Sequence, residues 1–91
     1  MLAPIEQMPS DSRVWVYQSP RLITSDEQQR LMSGLFSFID SWTAHQAGLR
    51  AAGAILHDRF VVIAVDENHN HASGCSIDKM VHFMKIGRAH V

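Results

Sequence analysis

The chain has 91 residues, a formal net charge of −1, 46% hydrophobic residues and 19% charged ones, the balance of a small globular domain rather than of a disordered chain. Its length allows one domain at most, and its charge provides no basic patch of the kind that nucleic acid or an anionic membrane attracts. The single cysteine, Cys75, excludes a disulfide framework within the chain and agrees with a reducing, cytoplasmic setting.

In chain order, Met1 to Asp11 lacks the basic start and long apolar core of a signal peptide. Its acids and prolines predict a disordered lead-in over residues 1–12, with Met8 as an alternative initiator. Val14-Trp15-Val16-Tyr17 is branched and aromatic and predicts a short strand, which Ser19-Pro20 ends. Thr24 followed three residues later by Glu27 is a capping box. Leu31, Leu35, Phe38 and Trp42 then recur at helical spacing, with Met32 and Ile39 widening the stripe, so a helix is predicted from about Ser25 to about Ala44. Gly48 marks the exit from it.

Leu49 to Leu56 reads as a second strand and His57-Asp58 as a tight connection. Phe60 to Val65 is unbroken in hydrophobicity, which predicts a central strand. It is the longest apolar run and is far too short to cross a bilayer. Asp66 to Gly74 is a polar loop, and Cys75-Ser76-Ile77-Asp78 opens a second helix with Ile77, Val81 and Met84 on one face. The expected class is α+β in β-α-β-β-α order. The last two strands should form an antiparallel hairpin, and the first crossover should be right-handed if its strands are parallel. This order matches the opening elements of a ferredoxin-like plait, which needs one more strand, so the plait is expected to be incomplete and truncated at the C-terminus.

The last six residues, Ile86-Gly87-Arg88-Ala89-His90-Val91, have a different character. The codons ATC GGA AGA GCA CAC GTC encode them, and that string matches the adapter commonly ligated to short-read sequencing libraries. The tail is therefore read as translated adapter, which confines the domain to residues 13–85, interrupts the natural chain at or near Lys85, and excludes Arg88 and His90 from every candidate site.

Candidate chemistry concentrates between Asp66 and Asp78, a segment that starts at the carboxyl end of the strongest strand and enters a helix N-terminus. Three readings compete there. Cys75 in a first helical turn is placed for thiolate chemistry, with His69 or His71 as base and Asp66 or Asp78 as orienter. His45, at the end of the first helix, joins such a site if that end lies near the loop. His69 and His71 beside Asp66 and Glu67 offer metal-ligand chemistry, but spacing alone does not make a metal site and none is assigned. Gly74, Ser76 and free amides at the helix start are suited to a small anion, against which stands ordinary capping by Ser73 or Ser76. Trp42 belongs to the core stripe; His57 and His82 read as a turn residue and a surface residue.

Val14-Trp15-Val16-Tyr17-Gln18, Ser41-Trp42-Thr43-Ala44-His45, Arg59-Phe60, Val65-Asp66-Glu67 and Ser73-Gly74-Cys75-Ser76-Ile77-Asp78-Lys79 together cover most of residues 14–85. They resemble a family of small bacterial proteins of unknown function whose members often carry the label "ABC transporter ATPase". The resemblance implies a chain longer than this one. A nucleotide-cleaving P-loop needs a glycine-rich run ending in Gly-Lys-Ser/Thr, and none occurs here, so the label is read as propagated.

Sequence alone therefore leads to a cytoplasmic α/β binding or interaction module, taking a small anion or a protein partner at the Asp66–Asp78 segment. The alternative is a thiol-dependent enzyme using Cys75 with a nearby histidine. The sequence leaves any cofactor unknown.

Overall fold

The computed structural model describes residues 1–89, and the side chains of residues 1–87. His90 and the side chain of Arg88, both set aside with the tail, lie outside the described residues.

Seven elements follow a short 3-10 turn at Ile5–Gln7: β1 (Arg13–Gln18), α1 (Ser25–Asp40), β2 (Thr43–Ala44), β3 (Ala47–Gly48), β4 (Arg50–Leu56), β5 (Phe60–Asp66) and α2 (Gly74–Ala89). The fold is mixed α/β, with a three-stranded antiparallel sheet in the order β1-β5-β4 and a separate two-stranded ribbon, β2-β3. β5 occupies the centre, as its unbroken apolar run predicts. β1 and β4 flank it in the same direction, so α1 carries the chain from one outer strand to the other.

Strand alternation divides the sheet into two faces. Trp15, Tyr17, Ala51, Ile55, Val61, Ile63 and Val65 point to one face and meet Leu31, Leu35 and Ile39 of α1 and Met80 and Met84 of α2 in one core. α1 lies against β4 at Gly53, where an added Cβ would come within 2.7 Å of Leu35 Cδ2. α2 lies toward β1, where Tyr17 Oη donates to Met80 Sδ at 3.4 Å. Between the helices Phe38 stacks on Phe83, ring centroids 5.0 Å apart. On the other sheet face Val14, Val16 and Leu56 are 50%, 58% and 49% exposed.

α1 starts where the capping box puts it. Thr24 Oγ1 accepts from Glu27 N, and the Glu27 carboxylate accepts from Thr24 N and from both Nη atoms of Arg21. The helix ends at Asp40, not near Ala44. Ser41 turns its hydroxyl back onto the carbonyls of Ser37 and Phe38, and the backbone N–H groups of Ser41 and Trp42 reach back three residues, which tightens and closes the last turn. The apolar stripe runs through this end because Trp42 stays buried after the helix has stopped. The residues beyond it form the β2-β3 ribbon, turned by His45 and Gln46 at φ 53° and 68°.

Residues 1–12 differ from the expected disordered lead-in. Leu2 bridges Ala51 in parallel along the outer edge of β4, and Ala3 is buried. Arg50 Nη1 then donates to Met8 Sδ at 3.8 Å and Asn68 Nδ2 to Asp11 Oδ1 at 3.4 Å, so the segment passes the Asp66 end of the sheet on its way to β1. Among the described residues no helix is long and apolar enough to cross a membrane.

Candidate functional site

Asp66 is the last residue of β5 and is buried, 5% exposed. The register of the β4-β5 hairpin sets Arg50 opposite it, and Arg50 Nη1 donates to Asp66 Oδ2 at 3.1 Å. Asp66 Oδ1 accepts from Asn68 N at 3.0 Å and from Asn68 Nδ2 at 2.9 Å, an Asx turn that starts the loop. The Asn68 backbone N–H is the main reason the Asp66 carboxyl lies below the usual carboxylate range; the Asn68 amide and the Arg50 guanidinium act in the same direction, against burial.

The rest of the loop is also held by its own side chains. Glu67 Oε2 accepts from Ala72 N at 2.9 Å. Asn70 Nδ2 donates to the carbonyls of Ala44 and Ala47, both at 3.1 Å, and so fastens the loop to the β2-β3 ribbon. His69 and His71 are left outside this frame, with side chains 71% and 84% exposed. Each faces one carboxylate: His69 Nε2 is 3.9 Å from Asp66 Oδ2 and His71 Nδ1 3.7 Å from Glu67 Oε2.

α2 begins on a reciprocal serine pair. Ser76 N donates to Ser73 Oγ at 3.1 Å, Ser73 N to Ser76 Oγ at 2.7 Å, and Ser76 Oγ to Ser73 O at 2.7 Å. This is the capping alternative in place, and it engages the Ser76 hydroxyl completely: Ser76 is 1% exposed. Gly74, its companion in the anion reading, is exposed, with open space where a Cβ would stand.

The candidate catalytic residues are placed as follows. Cys75 is free and exposed, and among the described residues it makes no hydrogen bond. His45 is not at a helix C-terminus, because α1 ends at Asp40; it is an exposed residue of the ribbon's turn and, among the described residues, makes no side-chain bond. Asn70 brings that ribbon against the loop, yet Asp66 turns its oxygens to Arg50 and Asn68 rather than to a Cys–His pair. Among the described residues no cluster of three His, Cys, Asp or Glu side chains is arranged to hold a metal. His57 is a turn residue at φ 55° and His82 is exposed on α2.

Sequence reasoning missed the residues that build the loop: Arg50, Asn68 and Asn70. Asp66-x-Asn68 is itself an Asx-turn signal and could have been read. Asn70 carried no signal, because its partners are backbone carbonyls of a ribbon that the sequence reads as the end of a helix and its exit. Comparison with protein-family models, with curated proteins and with solved structures finds no match to this chain.

Proposed function

We propose that this chain is an interaction module that meets a protein partner through the more exposed face of its sheet. The observation that carries the reading is the contrast between the two faces. One is packed under both helices, while the other presents Val14, Val16 and Leu56 about half-exposed beside the buried Ala52 and Ala64. Val14 and Val16 are neighbours on that face of β1, and grouped exposed apolar side chains are the kind of surface a protein partner covers. The Asp66–Asp78 segment then serves as a connector, since the Asp66 and Glu67 carboxylates and the Asn68 and Asn70 amides are bonded within the loop, to Arg50 and to the ribbon.

The strand order β1-β5-β4, with β1 and β4 running the same way around β5, supports reading the fold as a ferredoxin-like plait that lacks a strand beside β1. A cytoplasmic setting, kinship with the small bacterial family and an adapter-derived end belong to the same proposal. The ATPase label does not, for want of a P-loop sequence.

A thiol-dependent activity is the second reading, favoured by the exposure of Cys75 in the first turn of α2. One experiment separates the two. The full chain is immobilised beside its Val16→Asp and Cys75→Ser variants, each shown to be folded by far-UV circular dichroism, and bacterial proteins retained by each are identified. The interaction reading expects a set retained by the wild type and by Cys75→Ser and lost with Val16→Asp. Retention that survives Val16→Asp overturns it, and loss confined to Cys75→Ser favours the thiol.

A further inference from the structure

We draw no further inference here: the strongest candidate, the cavity of about 500 Å³ between Gln18–Arg21 and the last turns of α2 at Met84 and Gly87, is an apolar hollow at the end of β1, and nothing in the structure shows what covers it.

Discussion

Trp42 Nε1 donates to the carbonyl of Ser76 at 2.9 Å, across 34 residues of sequence and in the interior of the molecule. The bond fixes the start of α2 against the chain leaving α1. Trp42 is 2% exposed, and its ring meets Phe38 and Trp15 at centroid distances of 5.3 and 6.5 Å. A phenylalanine there keeps an aromatic ring but loses the donor and part of the buried area. Ser76 O lies within a helix and keeps its helical partner, so no acceptor is orphaned. Trp42→Phe is expected to cost about 1–2 kcal/mol, a fall in Tm of roughly 4–8 °C per kcal/mol for a domain of this size. Thermal denaturation followed by circular dichroism checks it, and an unchanged Tm counts against the link.

Much of the framework was legible because it rests on local chemistry. The Thr24–Glu27 box set the start of α1, and the run from Phe60 to Val65 marked the central strand. Two things were not legible. The end of α1 was masked because Trp42 continues the helical apolar spacing although it is buried from outside the helix. The ribbon was invisible because its turn uses His45 and Gln46 at positive φ, where Asn-Gly is the usual signal. At the candidate site the residue types were read correctly as polar. Their partners were not, since Arg50 reaches Asp66 only through hairpin register and Asn70 only through the ribbon.

Gly53 is required by close approach rather than by backbone conformation. An added Cβ would lie 2.7 Å from Leu35 Cδ2 and 3.3 Å from Ile39 Cδ1, and both side chains are fully buried. Neither can move aside without disturbing the core beneath α1. Gly53→Ala is expected to destabilise by about 1–3 kcal/mol, the usual range for overpacking, and Gly53→Val by more. Urea denaturation gives the comparison; an alanine chain as stable as the wild type would show that α1 shifts freely on the sheet.

The ribbon's turn offers the opposite case. His45 and Gln46 are exposed, at φ 53° and 68°, a region that costs residues with a Cβ roughly 1–2 kcal/mol each. Among the described residues neither side chain has a hydrogen-bond partner that repays this. Replacing the pair by Asn-Gly is expected to stabilise the chain by up to about 1 kcal/mol, after the greater freedom of glycine in the unfolded chain is subtracted. The urea midpoint should rise, and a fall would mean that His45 and Gln46 carry no backbone strain in the folded chain.

Cys75 is accessible and, among the described residues, has no bonded base. Iodoacetamide should therefore modify it in the folded chain without denaturant. Because His45 makes no bond to it, His45→Ala should label at the wild-type rate. Mass spectrometry of timed samples reads both. Marked slowing in the His45→Ala chain would revive the Cys–His pairing and with it the thiol-dependent reading.

Acid sensitivity should trace to Glu27. Hydrogen bonds from Arg21, then from the Thr24 backbone, hold its carboxyl down at about 2, against an ordinary value of 4.5. The folded chain thus binds this proton less readily than the unfolded chain, and stability falls wherever the unfolded state alone takes it up. The contribution is whole above about 4.5 and is lost as pH drops toward about 2. Asp66, also held low, adds a loss of the same sign. Glu27→Gln removes the first contribution and leaves the second. It should be less stable than the wild type at neutral pH, and the difference should close through that acid window. Urea midpoints taken across the window test this directly. If the gap between the two chains stays constant, the Arg21–Glu27 pair does not govern the acid limb, and Asp66 becomes the group to substitute next.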